Sequence, residues 1–321
     1  MNYYVYKIKF LAPFHTGNGD GSASMLSTSM TLRADTIFSA LCNEAARSFS
    51  IEEVLKIIDL CKDGKLLLSD TFPYCGDKLY LPKPIYPLSD NAVFDVENRK
   101  EIKSLSWLPC SKTGMEAFSE YIKTGYMQNS SSMKTKFAVS SVYTKATLSR
   151  NNDNTVPFRV SAYVFLKDCG LYGIIGCEDE SDKELICRLF YLMSFGGIGG
   201  MTSRGYGRFS FELMTKRSEY TDYLLSKIGK KAENNLLLTT SLPEKDEINN
   251  VLDGAYYNIV RRGGFSFSPN TDIMVKKETG FFLSSGSVLK NTFKGNVYKV
   301  GGNGNHSIYR YSKPIFMEVT L

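Results

Sequence analysis

The chain has 321 residues, 43% of them hydrophobic and 13% aromatic, which excludes a disordered protein and makes two domains the default organisation. A formal charge of +6, from 39 Lys and Arg against 33 Asp and Glu, is too small to imply a nucleic-acid partner by itself. Seven cysteines, odd in number, widely spaced and without a Cys-x-x-Cys pair, argue against a zinc site and a disulfide framework. They fit a reduced, cytoplasmic chain, and MNYYVYKIKF lacks the basic lead and apolar run of an export signal.

The chain opens with YYVYKIKFLAP, whose alternation puts Tyr4, Tyr6, Ile8 and Phe10 on one face of a strand and Tyr3, Val5, Lys7 and Lys9 on the other. PFHTG and a loop rich in Gly, Ser and Thr lead to Asp35, whose carboxylate is expected to cap the helix TIFSALCNEAARSF. A second amphipathic helix runs from Ile51 to about Cys61. Two short strands broken by proline follow, LLLSDTFPY and LYLPKP, and then a region from about 90 to 135 that reads as irregular and holds the only tryptophan, Trp107. SVYTKATLSR and TVPFRVSAYVFL flank the polar link Asn151 to Asn154 and predict a long β-hairpin, about 137–167. GLYGIIGC is a strand, DKELICRLFYLMSF a helix, and GGIGGMTSRGYGRF a glycine-rich loop feeding the strand YGRFSFEL. This order suggests a ferredoxin-like sheet with the hairpin as an insertion. A polar helix or linker, about 216–235, separates it from a half made of short strands, LLLTTSL, AYYNIVRR, DIMVKK, GFFLSS, NVYKV and IFMEVTL. The expected class is therefore α+β, with two ferredoxin-like modules over 1–215 and 216–321, the second partly degenerate.

Charge is unevenly spread. Acids outnumber bases from Glu52 to Glu101, whereas bases dominate from Lys112 to Lys167 and from Lys276 to Lys313. The acidic stretch suits a protein-facing or solvated surface rather than RNA. In the glycine loop, bare backbone lets N–H groups approach an anion closely. Loops that hold nucleoside triphosphates follow a strand, open a helix and end in Gly-Lys-Ser/Thr; this one follows a helix, opens a strand and contains no lysine. A polynucleotide backbone, gripped also by Arg204 and Arg208, suits it better, the alternative being a tight helix-to-strand connector.

GGIGGMTSRGYGRF resembles the glycine-rich loop that marks the RAMP superfamily of CRISPR RNA-binding proteins. With PFHTG, LRADTIFSALCNEA, LLLSDTFPY, LPKP and HSIYRYSKPIFM in that order, the chain resembles the fourth-subunit family of the Csm complex, the type III-A CRISPR effector, from His15 to Met317. The resemblance implies a non-enzymatic subunit without cofactor or metal that binds the 5′ tag of the CRISPR RNA, docks on the large Palm-domain subunit and contacts the first backbone subunit of the filament. It implies a pair of ferredoxin-like modules with a β-hairpin thumb. Carried over by position, Gly196, Gly197, Gly199, Gly200, Ser203, Arg204, Gly205, Tyr206 and Arg208 would lie against the tag, and Lys145, Thr147 and Arg150 of the thumb near the junction of tag and spacer.

Some RAMP relatives cleave precursor RNA with a histidine as general base, so His15 carries the alternative reading of a metal-independent endoribonuclease. The only other histidine is His306, which leaves the second proton-transfer role to Tyr or Lys, groups that titrate too high unless strongly perturbed. The alternative is that His15 bonds the loop backbone or stacks on a base, and it stands as a candidate RNA contact. Arg33 is a candidate phosphate ligand that could equally pair with Asp35. Arg261 and Arg262 open RRGGFSFS, which is either an RNA contact or a strand end turning into a loop.

Overall fold

The computed structural model describes residues 1–17, 25–90, 92, 96–128, 130–147, 156–268, 275–302 and 307–321. Arg150 and His306 lie outside the described residues. Elements in the first half are β1 (Asn2–Phe10), α1 (Ala34–Ser48), α2 (Ile51–Lys62), β2 (Leu66–Leu68), β3 (Phe72–Cys75), β4 (Lys78–Pro82), α3 (Val96–Ser104), β5 (Trp107–Pro109), α4 (Lys112–Thr124), β6 (Ala138–Thr147), β7 (Val156–Phe165), β8 (Cys169–Cys177), α5 (Glu180–Gly196) and β9 (Phe209–Leu213). There follow α6 (Glu219–Lys227), β10 (Asn234–Leu237), α7 (Ile248–Leu252), β11 (Ile259–Arg262), β12 (Gly280–Leu283), β13 (Val288–Leu289), β14 (Asn296–Gly302), β15 (Ser307–Ser312) and β16 (Phe316–Val319).

The fold is mixed α+β with antiparallel sheets. Its main sheet has the order β5-β4-β3-β8-β1-β9, with β2 also pairing β8. The alternation of β1 decides which face meets which layer. Tyr6 and Ile8, with Tyr4 and Phe10 beside them, pack under α1, α2 and α5 against Ile37, Leu41, Ile57 and Phe190. Val5 and Tyr3 face the opposite layer, where Leu224 of α6, Leu236 of β10 and Met317 of β16 complete a second core. The sheet is thus covered on both sides, and all nine residues of β8 are buried. Such a strand has no polar face, which is why GLYGIIGC reads as a continuous apolar run. Each large side chain so buried contributes about 1.5–3 kcal/mol.

Two local expectations are corrected. Asp35 does not cap α1: the N-cap residue is Arg33, which makes no side-chain cap bond, and Asp35 lies in the first turn. The Ala34 amide instead donates to Asp70 Oδ1 at 2.9 Å, so a carboxylate 36 residues away does the capping. Asp70 also accepts from the Thr240 amide (3.1 Å) and hydroxyl (2.6 Å), tying the C-terminal strands to the start of α1. Second, the region read as irregular contains α3, β5 and α4. Ser111 caps α4 by accepting from the Gly114 amide at 3.1 Å, and Gly125 closes it with φ of 80°. Gly114 lies inside α4, where a Cβ would run into the Pro109 carbonyl.

The hairpin is present as β6 and β7, in continuous register from Ala138 opposite Phe165 to Thr147 opposite Val156. The strand that follows the glycine loop begins at Phe209, later than YGRFSFEL suggests. β10 pairs with β13 and β16, while β11 with β12 and β14 with β15 form two-stranded ribbons.

Candidate nucleic-acid interface

The glycine loop leaves α5 at Gly196 and turns repeatedly through left-handed backbone, at Gly197 (φ +87°), Gly199 (φ +99°), Met201 (φ 62°), Gly205 (φ +82°) and Gly207 (φ +71°). Seven of its amides are already used by the protein, those of Arg204 (2.9 Å), Gly205 (2.9 Å) and Tyr206 (3.4 Å) within the loop itself, to the carbonyls of Met201, Thr202 and Met201. Gly197 N–H donates to Met193 O (2.8 Å), Ile198 N–H to Gly207 O (3.0 Å), Gly200 N–H to His15 O (2.8 Å) and Gly207 N–H to Pro13 O (2.8 Å). Close packing is what several glycines serve. A Cβ at Gly197 would lie 2.6 Å from Tyr206 O, one at Gly199 2.5 Å from His15 O, and one at Gly207 would overlap Ile198 O. The loop is thus no bare amide cradle: Gly196, Gly199, Ser203, Arg204, Gly205 and Arg208 are exposed on its outer rim, but the amides of Arg204 and Gly205 there are already bonded.

His15 lies beneath this loop, 5% exposed. Its Nδ1 is 2.7 Å from the Ser161 carbonyl of β7, and because a carbonyl only accepts, Nδ1 carries the proton. Its own carbonyl takes the Gly200 amide. His15 therefore joins the hairpin to the glycine loop, in keeping with the backbone-bonding alternative. Further contacts hold the hairpin over the loop: Lys145 Nζ sits 4.2 Å from the Tyr206 ring centroid and the Arg204 guanidinium 5.2 Å from that of Phe158.

A groove of about 700 Å³ runs between α1, the glycine loop and the segment after β11. Arg33, Gly197, Gly199, Gly200, Arg261 and Arg262 all line it, brought together from three distant parts of the sequence. Arg262 is committed to Asp35, donating from Nε to Oδ2 (2.9 Å) and from Nη2 to Oδ1 (2.8 Å). Arg310 Nε stands 3.9 Å from the same carboxylate and also donates from Nη1 to the Glu278 carbonyl. Burial by itself would raise the Asp35 carboxyl, but the charge and hydrogen bonds of Arg262, helped by Lys277 and Arg310, hold it below the ordinary carboxylate value. This one carboxylate thus fixes the β11 ribbon over α1 and forms a wall of the groove.

Positive charge in the groove exceeds what Asp35 can balance. Arg33 has its Nη1 buried without a hydrogen-bond partner among the described residues, and burial together with Arg262 lowers its pKa. Lys277 is likewise pushed down by burial, then by Arg310 and Arg262, against the opposing pull of Asp35. Charges crowded in this way favour an incoming anion. The other predicted residues do not line the groove: Arg204 and Lys145 make contacts between the loop and the hairpin, Ser203, Gly205 and Arg208 are exposed, Tyr206 is buried under Lys145, and Thr147 ends β6. Phe265 and Phe267, also in the groove wall, belong to the RRGGFSFS segment singled out above; sequence reading missed Lys277 and, on α1, Asn43, Glu44 and Arg47. The signal for the α1 residues was one helical face, since Thr36, Ala40, Asn43 and Arg47 recur at its spacing.

The family model of the RAMP superfamily matches residues 7–210, and that of the CRISPR Csm4 C-terminal domain matches residues 230–319. A Mycobacterium tuberculosis (strain CDC 1551 / Oshkosh) protein named CRISPR system Cms protein Csm4 is 31% identical over 299 residues, 92% of this chain and 93% of that protein. The Streptococcus thermophilus protein of the same name is 28% identical over 309 residues, 94% of this chain and 95% of that one. Among solved structures, the chain is similar to a chain of the Csm3–Csm4 subcomplex of the type III-A CRISPR-Cas interference complex, with a TM-score of 0.67 and 19% identity over 100% of both chains. It is also similar to a chain of the Csm1–Csm4 cassette in complex with pppApA, with a TM-score of 0.62 and 17% identity over 99% of each. At these identities the two structures establish a shared fold.

Proposed function

The chain belongs to the Csm4 family within the RAMP superfamily, and on that premise we propose that it is the RNA-binding subunit of a type III-A CRISPR interference complex, holding the 5′ tag of the CRISPR RNA in the groove beside the glycine loop. The observation that carries this reading is the groove, where unbalanced cations meet Gly197, Gly199 and Gly200 of the loop. Phosphates would be gripped by Arg33, Lys277 and Arg261 and along the rim by Arg204 and Arg208, with bases splayed against exposed aromatic side chains. Arg262 acts by positioning the groove wall, and His15 by bracing the loop.

The order of β9, β1, β8 and β2 with β3, and α1 and α5 against one face, supports a ferredoxin-like first module over 1–215. The β6–β7 hairpin serves as its thumb, and residues 216–321 form the second, degenerate module. The partners are a Csm1-type large subunit carrying the Palm domain and a Csm3-type backbone subunit, the proteins that accompany Csm4 in the similar structures. The chain is read as a non-enzyme of the cytoplasm. A histidine buried against two backbone segments supports a bracing role over a cleaving one. Filter binding of labelled tag-containing RNA across a salt series tests the reading, together with incubation of repeat RNA in EDTA. Salt-sensitive binding with intact RNA is expected; cleavage in EDTA would return the endoribonuclease.

A further inference from the structure

In a groove built to hold a polyanion, a carboxylate that faces the ligand needs an explanation. Two acids line this one, Asp35 and Glu44. Asp35 is consumed by Arg262. Glu44, on α1 and half-buried, accepts from Ser48 Oγ at 2.7 Å through Oε1 and makes no ion pair among the described residues, although Arg33, Arg47, Arg261 and Lys277 line the same groove. For contacts to phosphate alone it would be a liability, since like charges repel. It suits a ligand that also presents N–H donors. Of the four RNA bases, only guanine offers two donors side by side on one edge, N1–H and the 2-amino group, matching the two oxygens of a carboxylate. Adenine and cytosine offer one amino group each, and uracil one imino group.

The neighbouring side chains fit a base rather than a bare phosphate. One turn along α1, the Arg47 guanidinium lies 5.4 Å from the Phe267 ring centroid. Phe267 is 61% exposed and Phe265 53% exposed, both on the groove wall. Exposed rings and guanidinium planes are the surfaces on which unpaired bases stack. We propose that this groove reads one unpaired guanine, with Glu44 accepting from N1–H and the 2-amino group while the base face rests on the Phe265, Phe267 and Arg47 side. The proposal rests on the RNA-binding reading and adds a base preference to it.

The test uses the full chain and uridine octamers in which a single guanosine is walked through every position, read by fluorescence anisotropy at one salt concentration. One register should bind about tenfold more tightly than the all-uridine octamer, the usual scale for a bidentate base contact. Inosine at that position, which lacks the 2-amino group, should lose most of the gain. Glu44→Gln should abolish the preference with an unchanged thermal midpoint, while binding all-uridine RNA at least as well as the parent because a negative charge has gone. Equal binding by the parent in every register, or a preference that survives Glu44→Gln, overturns the guanine assignment while the RNA reading stands. Failure of every octamer to bind at low salt overturns the RNA reading and the assignment together.

Discussion

The ion pair between Asp35 and Arg262 makes the sharpest prediction. Asp35→Ala removes the acceptor of two charge-assisted hydrogen bonds, at 2.9 and 2.8 Å, and leaves Arg262, Arg310, Arg33 and Lys277 without their shared anion. The side chains are only 19% and 11% exposed, so water cannot replace what is lost. Removing one member of such a pair costs about 3–5 kcal/mol, whereas removing both with apolar replacement is near neutral or stabilising. Urea unfolding of Asp35→Ala should therefore show a loss of about 3 kcal/mol or more, and Asp35→Ala with Arg262→Met should recover most of it. The sign of the pH dependence follows from the lowered carboxyl. Its stabilisation is complete above the unfolded value of about 3.9 and disappears as pH falls through the lower folded value, so the gap between parent and Asp35→Ala should close only in strong acid. A single variant within about 0.5 kcal/mol of the parent, the scale of an ordinary surface change, would refute the idea that this pair holds the groove wall.

Other substitutions separate the roles of the loop residues. Gly207→Ala, which sets a Cβ on the Ile198 carbonyl at φ of +71°, should lower stability by about 2 kcal/mol or more and abolish RNA binding, while Gly196→Ala, which meets open space, should change stability by under about 1 kcal/mol, both read by thermal unfolding. Arg204→Ala with Arg208→Ala should weaken tag RNA by about 1 kcal/mol or more at fixed salt while leaving the fold intact, because both residues are exposed and only the Arg204 contact with Phe158 is lost; unchanged affinity would count against the rim. Arg33→Ala should flatten the dependence of log K on log salt by about 0.7 if the residue neutralises one phosphate, and leave it unchanged if it does not. His15→Ala should lower stability by about 1–3 kcal/mol, since the Ser161 carbonyl loses its partner in a buried position.

Much of the architecture was legible because it follows from local periodicity. Tyr4, Tyr6, Ile8 and Phe10 do share one face of β1, GLYGIIGC does form a strand, and the two β-rich runs around a polar link do pair as a hairpin, while the layer each face meets and the hairpin register come from the packed structure. In α4, Gly114 weakens the local helix signal, and the contact with Pro109 that excludes a Cβ there exists only once β5 and α4 are packed.

What the sequence determined by itself is where most of the strands and helices outside the α3 to α4 region form and which residues make up a glycine-rich, arginine-edged loop, since these depend on side chains a few positions apart. Only the tertiary structure decided how those residues are employed. Asp70 caps a helix from 36 positions away, Asp35 binds a guanidinium 227 positions on, and Arg33 meets Lys277 and Glu44 in one groove. Hydrogen bonds and charges act over a few ångströms of space irrespective of separation along the chain, so no local pattern in the sequence could reveal which partner each of these groups would find.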